Sequence, residues 1–313
     1  MAIVSIKNKT NSGSLLVGNA GFEPTYALFA GGYRTTYTNK IESVNIPTIS
    51  NATVFGDLTV SRAYLAGLGS ATRGVFAGGD TGTAQNVIDY VTTASAGNAT
   101  DFGDLIDTAF SMGGLASATR GIFAGGYNPS TLTTQAQYIT IATTGNGTNF
   151  GNLTVARAGL AGLSSTTRGV FGGGEASGGL NNNTMDYYTI ATTGAATDFG
   201  DLTLARGYLA AGASSTRGVF GGGDSGTYSN VIDYITIATT GNATDFGDLT
   251  VARSALAGGS STTRALFSGG YTGAGSNIID YITIASTGNA IDFGDLTIAT
   301  RLLAGCSNAH GGL

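Results

Sequence analysis

Residues 217–252 read RGVFGGGDSGTYSNVIDYITIATTGNATDFGDLTVA, the clearest copy of a unit of about 47 residues that recurs along the 313-residue chain. Its Phe-Gly-Asp/Asn element occurs six times, at Phe55, Phe102, Phe150, Phe199, Phe246 and Phe293. A period in this range is typical of solenoids, propellers and arrays, because one such unit cannot bury its own apolar faces. The repeat therefore predicts one continuous structure instead of the two domains that length alone suggests.

Each unit divides into four short segments, here named a to d. Segment a is small and apolar, as in Leu65-Ala-Gly-Leu, and segment b is Arg-Gly-Val-Phe followed by a glycine pair such as Gly222-Gly223. Segment c is the apolar run at 231–238, and segment d passes through Asp-Phe-Gly-Asp-Leu-Thr. β-Branched and aromatic runs bounded by Gly, Asn, Ser and Thr predict strands. Helices are disfavoured because glycine and threonine interrupt every window.

Segment c is apolar on both of its alternating faces. Ile232 and Tyr234 lie on one side, with Val231, Ile235 and Ile237 on the other. This pattern indicates a sheet covered on both faces, which blades stacked around an axis provide. The small residues of segment a suit an inner strand crowded against that axis. The sequence predicts an all-β fold, a six-bladed β-propeller with four short antiparallel strands per blade.

Counting the segments predicts how the ring closes. Segments b, c and d occur six times, whereas segment a occurs seven times if Leu15-Leu-Val-Gly and Leu302-Leu-Ala-Gly are both included. The C-terminal copy fits the repeat better, so we expect it to supply the inner strand of the first blade and remove the free edge. Residues 21–313 then form the propeller, and residues 1–20 an accessory arm. Within that arm, Ile3-Val-Ser-Ile-Lys alternates like a strand that could add to a neighbouring subunit's sheet.

The amino-acid composition limits the classes of partner and the cellular location that we expect for the protein. The net charge is −5 without a long basic block, so no nucleic-acid partner is expected. The single cysteine, Cys306, excludes an intrachain disulfide framework. No run approaches the apolar length of a membrane span, and the start MAIVSIKNKTNSG lacks the apolar region of a signal peptide. We therefore expect synthesis in a cytosol and no membrane insertion.

The unit resembles the kelch repeat. The glycine pair Gly125-Gly126, Tyr138 and Phe150, followed by Arg157, match its glycine pair, tyrosine, large aromatic residue and linking arginine. The resemblance extends over residues 25–313, although phenylalanine takes the place of the kelch tryptophan. The near-identical units GDLTVAR, TRGVFGGG and IDYITIATTGNATDFG are also similar to kelch-like proteins encoded by bacteriophages, particularly cyanophages and other marine phages. That resemblance implies a virion-associated protein.

The b–c connections vary between copies in both length and content, whereas the a–b and c–d connections are nearly uniform. In an up-and-down blade the b–c and d–a connections share one face, and variable loops on a rigid scaffold favour a binding face. Aromatic rings beside short polar groups suit carbohydrate binding, and they equally suit ordinary turns that drift at the surface. The candidate binding residues are Tyr33, Arg34, Tyr127, Asn128, Asn182, Tyr228 and Tyr271.

Two series of arginines recur once per unit. The first, at the d–a link, is expected near the mouth of the central channel, where it could bind an anion or an acidic glycan. Its members are Arg62, Arg157, Arg206 and Arg253, with Arg301 one position late and Ala109 interrupting the series. The second opens strand b at Arg73, Arg120, Arg168, Arg217 and Arg264. The favoured alternative is blade-to-blade hydrogen bonding, with the repeated Asp57, Asp104, Asp201, Asp248 and Asp295 as partners.

The motifs of catalysis are not found in the sequence. Asp101 and Asp104 lack the alternating oxygen ligands of a calcium loop, and His310, the only histidine, has no neighbouring nucleophile motif. Glycine pairs such as Gly173-Gly174 do not open a helix, so they form no phosphate-binding loop. We expect no catalytic residue, metal or cofactor.

The leading hypothesis is therefore a non-enzymatic phage virion protein, in a tail, a fibre or a capsid, that presents its variable loops for attachment or docking. Its expected partners are other virion proteins, a host surface glycan and further copies of itself, and its expected location is the virion. One alternative is a cellular lectin or protein-interaction scaffold of kelch type. Another is an enzyme with a site over the channel.

Overall fold

The computed structural model describes residues 25–313. Within that range the protein is all-β, with six four-stranded antiparallel sheets arranged in a ring around a central channel. The predicted six-bladed β-propeller is confirmed. The proposed arm at 1–20, including its Leu15-Leu-Val-Gly segment, lies outside the described residues.

The blades are numbered in chain order, and strands run from the channel outward. Blade 1 contains β1 (Tyr26–Ala30), β2 (Lys40–Asn45) and β3 (Thr53–Asp57), with β28 (Ala304–Ser307) as its inner strand. Blade 2 contains β4 (Ala66–Gly69), β5 (Arg73–Ala77), β6 (Val87–Thr92) and β7 (Thr100–Asp104). Blade 3 contains β8 (Gly113–Ala116), β9 (Arg120–Ala124), β12 (Gln135–Thr140) and β13 (Thr148–Asn152). Its b–c loop adds a hairpin of β10 (Tyr127–Asn128) and β11 (Thr131–Leu132).

The remaining blades repeat this plan. Blade 4 contains β14 (Ala161–Ser164), β15 (Arg168–Gly172), β18 (Thr184–Thr189) and β19 (Thr197–Asp201), with a loop hairpin of β16 (Glu175–Ala176) and β17 (Leu180–Asn181). Blade 5 contains β20 (Ala210–Ala213), β21 (Arg217–Gly221), β22 (Val231–Thr236) and β23 (Thr244–Asp248). Blade 6 contains β24 (Ala257–Ser260), β25 (Arg264–Ser268), β26 (Ile278–Thr283) and β27 (Ile291–Asp295).

The ring is closed by the C-terminal segment, as the sequence predicts. Strand β28 pairs antiparallel with β1, so that Ala27 lies opposite Ser307 and Ala30 opposite Ala304. One blade thus contains both ends of the propeller. This pairing removes the seam at which a ring of independent blades would open.

The inner strands approach one another so closely that little room is left for side chains at the position facing the bore. A glycine occupies the central position in five of the six blades, at Gly67, Gly114, Gly162, Gly258 and Gly305. A Cβ on Gly258 would lie 2.0 Å from the carbonyl oxygen of Ala211 in the adjacent blade. The small residues predicted for the inner strand are therefore a steric requirement.

Neighbouring blades match large side chains to small ones. Leu68 of β4 packs onto Gly121 of β9, where an added Cβ would lie 2.6 Å from a leucine methyl group. Between blades 5 and 6 the sizes are reversed, with Gly212 facing Ala265. Three interfaces place a leucine over a glycine, two place an alanine against a glycine, and the interface between blades 1 and 2 places Cys306 over Gly74.

Strand c is covered on both faces, as its sequence predicts. In β22, Ile232 is fully buried and Ile235 is 3% exposed. The apolar core is accordingly layered between blades, because Ile232 of blade 5 shares a cluster with Phe267 and Ile282 of blade 6. Asp233 is also fully buried in the same strand, and its partner is described below.

Candidate functional site

The b–c and d–a connections lie on one face of the disc, as expected. In every blade the first b–c loop residue forms an isolated antiparallel bridge with a residue of a d–a link. The bridges are Ala63 with Asp80, Phe110 with Tyr127, Ala158 with Glu175, Gly207 with Asp224, Ser254 with Tyr271 and Arg301 with Tyr33. The variable loops and the links therefore surround one mouth of the channel.

A ring of backbone hydrogen bonds forms the rim of this mouth. Each link contains one residue that lies two positions before the inner strand. This residue donates its N–H to the carbonyl of the equivalent residue in the preceding link, at 2.7–2.9 Å. The cycle runs through Tyr64, Ser111, Gly159, Tyr208, Ala255 and Leu302, and returns to Tyr64. All six have φ between 54° and 63°, the left-handed region that glycine adopts without strain. The ring fixes each of these side chains at the channel entrance.

Two tyrosines of this ring meet over the channel axis. Tyr64 leads into blade 2 and Tyr208 into blade 5, on opposite sides of the ring, and their ring centroids are 6.4 Å apart. A tyrosine in this backbone conformation costs roughly 1–2 kcal/mol relative to the glycine found at Gly159. Backbone geometry therefore does not explain why tyrosine occupies these two positions. Burial raises the pKa of both phenols, so both hydroxyl groups are neutral hydrogen-bond donors at pH 7.

Beside these rings lies a pocket of about 280 Å³. Its polar lining comes from Tyr64, Tyr208, Ser254, Tyr271 and Arg301. The Arg301 guanidinium lies over the Tyr271 ring at 4.4 Å and over the Tyr33 ring at 5.1 Å. Cation–π contacts of this kind orient an arginine while leaving its N–H edges available.

The remaining aromatic residues extend this surface around the mouth. Phe110 stacks on Tyr127 at 5.1 Å and Tyr228 meets Tyr271 edge-on at 5.6 Å. Tyr37 donates its hydroxyl to Asp80 at 2.8 Å, and this hydrogen bond raises the pKa of Tyr37. We name as the aromatic mouth the set Tyr33, Tyr37, Tyr64, Phe110, Tyr127, Tyr208, Tyr228 and Tyr271.

The structure divides the predicted loop residues into two groups. Tyr33, Tyr127, Tyr228 and Tyr271 all belong to the aromatic mouth. The other three residues form contacts that stabilise the loops themselves. Arg34 bonds Glu42 at 2.8 Å, Asn182 accepts the Thr184 N–H at 2.6 Å, and Asn128 pairs with Thr131 in a hairpin.

The expected channel-mouth arginines are not at the mouth. Arg62, Arg157, Arg206 and Arg253 are completely buried. Each forms an ion pair of 2.7–2.9 Å with a buried strand-c aspartate, the partners being Asp89, Asp186, Asp233 and Asp280. The link threonine bonds the same carboxylate, as Thr250 does with Asp280 at 2.6 Å. The prediction placed these side chains wrongly because the link turns them inward, toward a carboxylate that has no other charged partner.

The expected carboxylate partners are wrong as well. Asp57 pairs with Lys40 at 2.7 Å on the outer strand. Asp104, Asp201, Asp248 and Asp295 instead use their backbone N–H groups, each donating to an asparagine of the next blade's c–d loop at 3.0–3.1 Å. The buried arginines pair with the strand-c aspartates instead.

The second arginine series does bond between blades. Arg217 donates to the Ile284 carbonyl of the next blade at 3.0 Å while its guanidinium lies 4.5 Å over the Tyr234 ring. Arg73, Arg120, Arg168 and Arg264 make the same pair of contacts. The partners are carbonyl oxygens, which sequence spacing alone could not indicate.

Sequence reasoning missed Tyr64, Tyr208, Phe110 and Tyr37 as residues of the mouth. A usable signal was present in the chain. The ring position carries Tyr, Ser, Gly, Tyr, Ala and Leu in successive copies, while the leucine that follows is nearly invariant. The position before it varies as well, with Ala63, Phe110, Ala158, Gly207, Ser254 and Arg301 in the six links, and such variation is the same signal that singled out the b–c loops.

The opposite end of the channel is filled by the C-terminus. His310 donates from Nε2 to the Gly69 carbonyl at 2.8 Å and accepts the Gly312 N–H at Nδ1 at 3.1 Å. Gly311 donates to the Ala213 carbonyl at 3.0 Å. Burial lowers the pKa of His310, in keeping with a neutral imidazole that both donates and accepts. The tail and the two tyrosines thus line the two ends of a central pocket of about 160 Å³.

Within residues 25–313, no three His, Cys, Asp or Glu side chains are grouped as metal ligands would be. The same range contains no helix that is long and apolar enough to cross a membrane. The architecture is that of a β-propeller and fits a non-enzymatic protein-interaction scaffold. A scan against protein-family models finds no match to this chain, and neither does a search of curated proteins.

Proposed function

We propose that this protein is a non-enzymatic recognition scaffold that binds its ligand at the aromatic mouth. The observation that carries the proposal is the concentration of eight aromatic side chains on one face of a nearly uniform ring. Equivalent positions in other copies hold Gly159, Asp80 or Asp224, so the fold does not require the rings. Partly exposed aromatic residues on a rigid frame present contact area at little entropic cost.

The chemistry of the mouth favours a saccharide. Tyrosine rings stack against the C–H faces of a pyranose, and the Tyr64, Tyr208 and Ser254 hydroxyls beside them can hydrogen-bond to sugar hydroxyls. The pocket volume of about 280 Å³ is near the lower end for small-molecule sites. A terminal sugar or a disaccharide fits this size better than a protein loop.

We further propose that the protein is a phage virion component, in a tail, a fibre or a capsid, with the aromatic mouth facing outward for attachment or docking. The support is the similarity of its near-identical units to kelch-like repeat proteins encoded by phages. Its partners would be other virion proteins and a host surface glycan. A cellular kelch-type lectin or interaction scaffold would use the same mouth, without any particle.

A glycan array probed with the purified chain tests the recognition function. The matched variant carries Tyr64→Gly, Tyr208→Gly and Tyr271→Asp, which are the residues that Gly159 and Asp224 supply at equivalent positions. It should fold with an unchanged circular dichroism spectrum and lose binding. Binding retained by the folded variant, or no binding by the wild type, would contradict recognition at this mouth.

Particle association is tested separately. Proteomic analysis of gradient-purified phage particles should recover the chain at a fixed stoichiometry, and deletion of residues 1–13 should leave the propeller folded but abolish incorporation. Recovery only in the soluble fraction would favour the cellular scaffold instead.

A further inference from the structure

We propose that the pocket between Tyr271 and Tyr208 binds the carboxylate of an acidic saccharide, with Arg301 as the group that contacts the anion. This inference rests on the recognition function proposed above and names its ligand class.

Arg301 is an addition to what the repeat requires. The equivalent positions carry Ala63, Phe110, Ala158, Gly207 and Ser254, none of which is charged. The buried arginine position of this link is occupied by Thr300, and Arg34 supplies the missing guanidinium from the loop by bonding Thr300 at 3.0 Å and Glu42 at 2.8 Å. Arg34 therefore takes the structural role of the buried link arginine, so the guanidinium of Arg301 is not needed for that role.

Backbone hydrogen bonds and ring contacts hold Arg301 beside the pocket. Its backbone exchanges hydrogen bonds with Tyr33 at 2.7 and 3.1 Å, and its guanidinium is held against the Tyr33 and Tyr271 rings. Within the described part of the chain it forms no ion pair. Among the residues of 25–313 that line the pocket, it is the only charged one.

The acidic residues of this face do not satisfy Arg301. Asp80, Glu175 and Asp224 lie on other b–c loops, and none of them lines the pocket. Asp80 accepts the Tyr37 hydroxyl and Asp224 accepts the Gly226 N–H. These carboxylates weaken long-range attraction of any anion, so a ligand must gain its affinity from contacts within the pocket.

These contacts define the ligand. A guanidinium offers two parallel N–H groups that match a carboxylate, and such charge-assisted bonds are stronger than neutral ones. A neutral sugar would leave this cation without a partner, and a free inorganic anion would leave the tyrosine faces unused. A pyranose bearing a carboxylate, such as a uronic or sialic acid, uses both.

The test compares matched pairs of probes by calorimetric titration of the full chain. The pairs are sialyllactose with lactose, and trigalacturonate with its methyl ester. At least one acid should bind, with its neutral counterpart weaker by about 10- to 100-fold. Equal affinity for acid and neutral forms would overturn the carboxylate assignment, as would failure of both acids to bind.

Substitutions test whether Arg301 is the residue that binds the carboxylate. Arg301→Ala copies Ala63 and Ala158 and should fold normally, yet lose about 10- to 100-fold in affinity for the acid. The affinity of Arg301→Lys for the acid should lie between those of the wild type and Arg301→Ala. Lys40→Ala, which removes one exposed positive charge elsewhere, should leave the affinity unchanged. Unchanged affinity in Arg301→Ala would disprove the role of this residue. Sodium sulfate competing as strongly as the sugar acid would reduce the site to a simple anion site and overturn the saccharide assignment.

This inference and the proposed function fail in different ways. If neutral glycans bind, and binding disappears in the triple tyrosine variant but persists in Arg301→Ala, the recognition function stands and the carboxylate site does not. If the array shows no binding of any glycan, the recognition function fails before these probes are used.

Discussion

Arg62 and Asp89 form an ion pair of 2.8 Å in which neither side chain has any exposed surface. Three further links repeat the pair. In the two remaining links no buried charge is left without a partner. At the link into blade 3 both charges are replaced together, by Ala109 and Gln137, and Gln137 accepts the Ile106 N–H at 2.9 Å. At the link into blade 1, Arg34 and Glu42 restore the pair from different positions. Since an unpaired buried charge is strongly destabilising, the two partners are kept or lost as a unit.

The first prediction concerns this unit. Arg62→Ala should destabilise the protein by about 3–5 kcal/mol, because it leaves Asp89 buried without its cation. The triple variant Thr59→Ile, Arg62→Ala, Asp89→Gln copies the native Ile106, Ala109 and Gln137 and should recover more than half of that loss. Urea denaturation of the variants measures both effects. A triple variant no more stable than Arg62→Ala would contradict the interpretation.

The second prediction concerns the fit between blades. Gly121→Ala should cost about 1–3 kcal/mol, because its methyl group would enter the volume of Leu68. In the double variant Leu68→Gly, Gly121→Ala, the contact copies Gly212 and Ala265, so its loss should be smaller than the sum of the single losses. A double-mutant cycle on thermal unfolding provides the measurement. Simple additivity would show that these two positions are not coupled.

The third prediction concerns closure of the ring. Removing residues 304–313 deletes β28 and exposes the edge of β1, so the truncated chain should become protease-sensitive and prone to aggregation. Removing only residues 309–313 spares β28 and should leave a folded propeller. Limited proteolysis compares the two truncations with the full chain. Equal resistance of the longer truncation would show that closure contributes little.

The fourth prediction uses Cys306 of β28 as a reporter of that closure. Burial raises the pKa of this thiol to about 12, so a negligible fraction is thiolate at pH 7. Alkylation by iodoacetamide should therefore be very slow in the native protein and should accelerate in urea together with loss of the circular dichroism signal. Rapid labelling under native conditions would indicate that blade 1 opens locally.

The fifth prediction concerns pH. The pKa of His310 is lowered in the folded protein, so the unfolded chain binds a proton more readily, and stability rises with pH. The contribution of His310 is fully present above its ordinary pKa of about 6.5 and is lost as pH falls from there toward the lowered value. Protonation also removes the lone pair that accepts the Gly312 N–H.

This prediction is measured by proton NMR, which is unambiguous because His310 is the only histidine. Its titration midpoint should lie below 6.5, and the change in melting temperature between about pH 6.5 and 5 should be smaller in His310→Asn. A midpoint at or above 6.5 would show that the C-terminal tail does not bury this ring in solution.

The sequence by itself determined the fold. The 47-residue period set the number of blades, the two-sided apolar pattern of segment c placed it between layers, and the surplus copy at Leu302 predicted closure. The first two features recur in every copy, and the third follows from counting the copies. A one-dimensional pattern therefore carries them completely.

Only the tertiary structure decided the partners of the arginines and the composition of the mouth. Arg62 and Asp89 lie 27 residues apart, and Asp57, five positions from the arginine, was the nearer choice along the chain. Tyr64 and Tyr208 come from opposite blades, and they meet because the inner strands converge on one axis. Sequence periodicity states which positions are equivalent around a ring. It does not state which side of a link faces inward, or which side chains from different blades converge, because those depend on how the closed ring folds its links over the blades.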